Sequence, residues 1–294
     1  MNICKCQILI TGVGGLLGRR LTDEFSNAGR LIKHYHNDPR IENGENTYYD
    51  DLGDIEHVKY LSQQYSPDII INSAALADVD RCQQEPELSR RINVDAVDYL
   101  QKYFPKAKFV QISTDYVFPG DKRACPNDPP HPINIYGEHK LRAEELILAA
   151  STDNLIIRTN TMLDITAERN FFLFVYNNLK AGKKIGGASD QSSNPISDLT
   201  SAKLIRQLIE KDGSGVYHIG GANFVSRYEL ALKIAEICKF DKGLISPVES
   251  SSLPRPAKRP LLAGLLCNET EEFLNRKMPA LEDEIIALRD LLLK

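Results

Sequence analysis

The chain has 294 residues, 42% of them hydrophobic and 26% charged, with a formal net charge of −4. That is enough apolar material for one large or two modest domains, and it excludes a globally disordered chain. Acids and bases are intermixed, which speaks against a nucleic-acid surface, and no apolar run approaches the length of a membrane helix.

The N-terminus leads straight into a strand pattern, without a signal-peptide pattern, so no secretory leader is expected. The six cysteines (4, 6, 82, 125, 238 and 267) are scattered, as expected of reduced thiols in a cytoplasm. Cys4 and Cys6 form a C-x-C, but no second ligand pair follows, so they read as ordinary thiols and no metal site is expected.

In chain order, Ile8, Leu9 and Ile10 form an apolar run that is followed at once by glycines at 12, 15 and 18, and Leu16 to Phe25 is helix-like. A strand, glycine turn and helix present backbone N–H groups and a helix N-terminus to a pyrophosphate. The spacing is G-x-x-G-x-x-G, not the commoner G-x-G-x-x-G. Leu31–Tyr35 reads as a second strand. Asp54–Tyr65 reads as a helix with Asp54 as N-cap and Ile55, Val58 and Leu61 on its apolar face.

Asp68–Asn72 is a short apolar strand of the kind buried in parallel sheets. Leu88 to Phe104 is helical, Lys108–Ser113 a strand, Ile133–Ala150 a helix and Asn154–Arg158 a strand. This alternation predicts an α/β fold with a Rossmann-type doubly wound parallel sheet.

Beyond Arg158 the pattern loosens. Glu168–Lys180 reads as an amphipathic helix, and Ala181–Pro195 is rich in glycine and serine. Ile196–Lys211 is helical, Val216–Ile219 a short strand, and Ser226–Lys239 a helix capped by Ser226. Pro247–Pro260 is a proline-rich loop, and Leu281–Leu293 a leucine-rich closing helix. Residues 1–158 are therefore expected to form a dinucleotide-binding domain. Residues 159–294 would form a smaller mixed substrate domain over the strand ends, with 196–219 packing back onto the sheet. Ligands of open α/β sheets bind in that crevice.

Tyr136 and Lys140 form Y-x-x-x-K, which puts both side chains on one helical face. An ammonium near a phenol lowers the phenol pKa and makes the tyrosine a usable general acid/base. Ser113-Thr114-Asp115 ends a strand where the sheet opens on the crevice, and a hydroxyl there can bond the same substrate oxygen as the tyrosine.

With these residues the sequence resembles the extended short-chain dehydrogenase/reductases. The resemblance rests on Gly12/Gly15/Gly18, Asn72-Ser73-Ala74-Ala75, Ser113-Thr114-Asp115-Tyr116-Val117-Phe118 and Tyr136-Gly137-Glu138-His139-Lys140. The run S-T-D-Y-V-F followed by Y-G-x-x-K is similar to the dTDP-4-dehydrorhamnose reductases. Asp51-Leu52, Asn93-Val94, Arg158-Thr159, Asp190-Gln191 with Pro195, and Arg255-Pro256 fall in the order of that family's pairs.

The resemblance implies roles. Gly12, Gly15 and Gly18, with Leu16 and Leu17, would cradle the pyrophosphate. Asp51 and Leu52 would border the adenine, and Ala74 and Ala75 the ribose floor. Ser113 would also touch cofactor. Thr114 would bind the reacting oxygen, Tyr136 would donate the proton, and Lys140 would hold the nicotinamide ribose and tune Tyr136. Asp115, Tyr116, Val117 and Asn160 would contact a nucleotide-sugar substrate. A homodimer is compatible with the resemblance, and neither a nucleic acid, a membrane nor a metal is implied as a partner.

Two departures stand out. The family's R-T-S-W is here Arg158-Thr159-Asn160-Thr161, and the chain has no tryptophan, which puts the deoxyrhamnose sugar itself in question. The acidic triads associated with metal in some members are not recognisable here, so that no metal is expected. Tyr116 occupies the place of the glutamate base in the T-D-E of 4,6-dehydratases, which argues against dehydration.

The second strand ends in His34-Tyr35-His36-Asn37 with no acid to take a ribose 2′-OH, while Arg19, Arg20, Lys33 and Arg40 lie nearby. This favours NADPH over NADH. Two alternatives stand beside a reductase: a non-catalytic dinucleotide-binding subunit like the regulatory subunit of methionine adenosyltransferase, and a nucleotide-sugar epimerase.

Overall fold

The computed structural model describes residues 2–36, 46–166 and 170–294. Seven strands form its main sheet: β1 (Gln7–Thr11), β2 (Arg30–Tyr35), β3 (Thr47–Tyr49), β4 (Ile69–Asn72), β5 (Lys108–Thr114), β6 (Leu155–Thr159) and β7 (Gly215–His218). Their spatial order is β7-β6-β5-β4-β1-β2-β3, and every pairing is parallel. The winding direction reverses between β1 and β4, and the crevice at such a reversal is where open α/β sheets take ligands.

The helices are α1 (Leu16–Glu24), α2 (Ile55–Gln64), α3 (Val79–Gln84), α4 (Pro86–Arg90), α5 (Ala96–Tyr103), α6 (Ile135–Ala150), α7 (Phe171–Lys180), α8 (Asp198–Glu210), α9 (Arg227–Ile237), α10 (Asn268–Leu274) and α11 (Leu281–Leu292). Alternation along β1 decides the layers. Ile8 and Ile10 face a core shared with Leu17 and Leu21 of α1 and with Leu204, Ile205 and Leu208 of α8. Leu9 faces the opposite core, with Val58 and Leu61 of α2, Leu100 of α5 and Ile147 of α6. Both faces are thus covered, which is why the strands read as apolar runs.

A third core lies away from the sheet. It joins Phe172 and Val175 of α7, Leu230 and Ile234 of α9, and Ile285 and Leu288 of α11. Beside it, Ile185–Ala188 and Ile245–Val248 pair in parallel. The stretch 196–219 sits with the sheet: α8 packs on α1, where Arg20 Nε lies 2.6 Å from Asp198, and β7 extends the sheet beyond β6.

The elements differ from the sequence reading in several places. Strand β3 (TYY) and helices α3 and α10 were not expected. The helix expected from Leu88 to Phe104 is interrupted by a wide turn at Arg91–Asp95. The glycine- and serine-rich stretch 181–195 contains strands at Ile185–Ala188 and Ser192–Ser193, because partner strands from distant sequence complete them. The expected loop 247–260 begins inside the strand Ile245–Val248. Glu168 and Arg169, the first two residues of the expected helix at Glu168–Lys180, lie outside the described residues. No helix among the described residues is long and apolar enough to cross a membrane.

Helix α9 starts with a capping box: Ser226 Oγ accepts from Glu229 N at 3.1 Å, and Ser226 N donates to Glu229 Oε2 at 2.7 Å. Ser226→Ala is expected to lower stability by about 1 kcal/mol, the usual worth of such a cap, measured as a fall in the urea unfolding midpoint.

Candidate active site

Gly12 follows β1 with φ +69°, and a Cβ there would stand 2.6 Å from the Ala74 Cα. Only glycine permits both the left-handed turn and this approach of β1 to the segment after β4. Gly18 lies beneath the turn, where a Cβ would meet Gly12 O at 2.2 Å. Leu17 is buried and Leu16 packs against the same core. These three residues offer no side chain to the crevice. Leu16 and Leu17 stand at the first two positions of α1, where backbone N–H groups lack helical acceptors.

A cavity of about 630 Å³ opens at the strand reversal. It is lined by Gly12 and Gly15, by His34, Tyr35 and His36 at the end of β2, by Asp51 and Leu52, and by Ala74 and Ala75. Arg81 and Arg91 also line it. Sequence reading missed these two arginines, because α3 and the wide turn carry no motif. Each is paired: Arg91 Nη2 lies 2.5 Å from Asp51, and Arg81 Nε 2.9 Å from Glu85.

The cations expected near β2 fare differently. Arg20 is committed to Asp198, and Lys33 does not line the cavity. Arg19 Nε donates to Gly14 O at 3.1 Å on the glycine turn. Asn37 and Arg40 lie outside the described residues.

Thr114, Tyr136 and Lys140 stand next to this cavity at the ends of β5 and α6 but do not line it. Asn134 caps α6 by accepting from Gly137 N at 2.9 Å. A Cβ at Gly137 would stand 2.1 Å from Tyr116 O, so glycine lets α6 press against residues after β5. That contact sets Tyr136 against the residues after β5, where the Thr114 side chain is among the groups acting on the phenol, while the Thr114 hydroxyl donates to Asp115 Oδ1 at 3.1 Å. Tyr116 meets Tyr136 edge to face at 6.0 Å.

Burial, and then the Asp115 charge, push the Tyr136 phenol above its ordinary value. Lys140 donates from Nζ to Ile112 O at 2.6 Å and is not among the groups acting on the phenol. The expected lowering of Tyr136 by the ammonium is therefore corrected: within the protein alone, desolvation outweighs it. Burial likewise pushes Lys140 down to about 8, against the opposing charge of Glu144.

Three further residues expected at the site have their side chains engaged within the protein. Ser113 turns its hydroxyl to Glu144, away from the cavity. Val117 is fully buried in the sheet core. Asn160 donates from Nδ2 to Asn194 Oδ1 at 2.5 Å and lines neither the cavity nor the pit beside it. That pit is small and polar, and Asp115, Tyr116, Thr161, Gln191, Ser193 and Arg227 face it. Burial pushes Asp115 up to about 7, with Thr114 and Arg227 opposing. Among the described residues, no group of three or more His, Cys, Asp or Glu side chains is placed to hold a metal ion.

The model of the RmlD substrate binding domain matches residues 6–292. The chain belongs to this family. It is 30% identical over 288 residues to a probable low-salt glycan biosynthesis reductase of Haloferax volcanii, covering 95% of this chain and 96% of that one. It is 27% identical to the dTDP-4-dehydrorhamnose reductase of Escherichia coli, with 97% of each covered.

Among solved structures, a dTDP-4-dehydrorhamnose reductase of Clostridium acetobutylicum superposes with a TM-score of 0.87 at 26% identity, covering 98% of this chain and 100% of that one. One of Bacillus anthracis in complex with NADP gives 0.84 at 26% identity, covering 97% and 99%. The RmlD-family chain thus shares the whole of that architecture.

His34 lines the cavity, is buried, and donates from Nε2 to Asp50 O at 2.9 Å. Burial lowers it to about 4, from 6.5. Between these values the unfolded chain takes the proton first, so stability is lost as pH falls from about 6.5 to 4. His34→Gln is expected to flatten that acid-side loss, read as the urea midpoint across this window.

Proposed function

We propose that the chain is an NADPH-dependent reductase of a nucleotide-activated 4-keto-6-deoxy sugar, of the dTDP-4-dehydrorhamnose reductase type, serving polysaccharide precursor synthesis. The observation that carries this reading is that Thr114 and Tyr136 come together at the ends of β5 and α6, with Thr114 among the groups acting on the phenol, beside the glycine-turned cavity. The names of near full-length relatives and the NADP bound in a similar structure support it.

The cavity fits a dinucleotide. Its volume is that of a small-molecule site, and the start of α1 offers free N–H groups to a pyrophosphate. Asp51 and Leu52 border the adenine, and Ala74 and Ala75 the ribose floor. Arg81 and Arg91 are the cations of the cavity lining that a 2′-phosphate could meet. The cofactor supplies hydride when bound.

The chain's own residues do the rest. Thr114 and Tyr136 direct their hydroxyls at one substrate oxygen. The raised phenol is fully protonated at neutral pH and so is loaded as the acid that protonates that oxygen. Lys140 uses one N–H on Ile112 O and keeps two for ribose hydroxyls. The polar pit of Asp115, Thr161, Gln191 and Arg227 takes sugar hydroxyls, where an aromatic wall would take an apolar face. In this reading residues 159–294 form the sugar-binding half around the third core, with 196–219 assigned to the sheet.

Loss of NADPH absorbance on mixing with dTDP-4-keto-6-deoxy sugars tests the reading. Tight NADPH binding without oxidation would instead favour a binding protein, and sugar conversion without NADPH consumption an epimerase. Tyr136→Phe is expected to slow turnover on the order of a hundredfold or more while leaving NADPH affinity nearly unchanged. Lys140→Met is expected to weaken NADPH binding as well as turnover, by fluorescence titration and initial rates.

A further inference from the structure

Behind the hydroxyl pair lies a buried ionic group that the reaction above does not use. Glu144 stands one turn after Lys140 on α6 and is 1% exposed. Arg158 of β6 grips it, with Nε 3.0 Å from Oε1 and Nη2 2.7 Å from Oε2. The Ser113 hydroxyl donates to the same carboxylate. Arg158 is held in turn by Pro126 O at 3.2 Å and by the Phe118 ring, 4.9 Å below its guanidinium.

A buried ion pair of this kind adds little net stability, because desolvation offsets the attraction. Its placement points to another use. Ser113 and Ile112 share one peptide unit. Glu144 holds that unit through the Ser113 hydroxyl, and Lys140 docks on its carbonyl.

We propose that Glu144 is the positioning residue for Lys140: with Arg158 it fixes, through Ser113, the Ile112 carbonyl on which the ammonium docks, and it supplies the carboxylate charge beside that ammonium. Among the groups acting on Lys140, Glu144 most opposes the effect of burial, and the Cys82 thiol of α3 opposes it less. Other ionisable side chains at this end include Tyr136 on α6, Asp115 and Tyr116 after β5, and Arg158 on β6. The consequence for catalysis rests on the reductase reading. The docking itself does not.

The test labels the full-length chain with acetic anhydride across a pH series and follows Lys140 by mass spectrometry. Glu144→Gln is expected to lower the pH midpoint of labelling by about one unit, the effect of losing a nearby opposite charge, with the high-pH plateau within about twofold. An unchanged midpoint overturns the proposal, and so does a raised plateau alone, which reports mere loosening. Because Glu144→Gln strands the Arg158 charge, the double variant Glu144→Met/Arg158→Met provides a second route, with the same midpoint shift expected.

In NADPH titrations, Glu144→Gln and Lys140→Met are expected to weaken binding non-additively, as coupled neighbours do; additive losses overturn the proposal. A wild-type chain that binds no NADPH sinks the reductase reading and leaves the labelling result to decide this one.

Discussion

The carbonyl of Ile112 is the point to which the site's hydrogen bonds converge. Thr11 Oγ1 donates to Asn72 Oδ1 at 2.5 Å, Asn72 Nδ2 to Gln111 Oε1 at 2.8 Å, and Gln111 Nε2 to Ile112 O at 2.8 Å. Lys140 closes the chain on the same oxygen. The ladder runs across β1, β4 and β5 because their register sets Thr11 beside Asn72, and Asn72 beside Gln111. Buried side-chain amides must find partners. The parallel register satisfies them in one line and so ties the dinucleotide crevice to the hydroxyl pair.

Desolvation dominates the electrostatics of this end of the sheet. It pushes Tyr136 and Asp115 up and Lys140 down, each towards the neutral form. A protonated phenol beside a threonine hydroxyl is suited to giving a proton to an oxygen that gains charge. The same burial makes the Glu144–Arg158 pair matter, since a carboxylate acts on its neighbours more strongly where water is excluded.

Contacts between residues far apart in sequence rest on few motifs and much packing. Arg20 of α1 reaches Asp198 of α8 across 178 residues of sequence. Asn194 bonds the backbone of Gly221 and Leu265 at 3.0 Å each. That commitment explains why Asn160, which pairs with Asn194, serves the framework instead of the crevice.

The sequence by itself determined the doubly wound sheet, since buried parallel strands must read as apolar runs and helices between them as amphipathic ones. It also marked the glycine turn and the four-residue spacing that puts Tyr136 and Lys140 on one helix, because both are local. Tertiary structure alone decided what those side chains touch. Strand β3 exists because β2 offers it an edge. Arg81 reaches the cavity from α3 and Arg91 from the start of the wide turn. Ser113 and Val117, adjacent in sequence to residues of the site, point elsewhere because strand alternation and core packing claim them. Whether a charge tunes the phenol is a matter of distance and desolvation, and neither is written in a four-residue spacing.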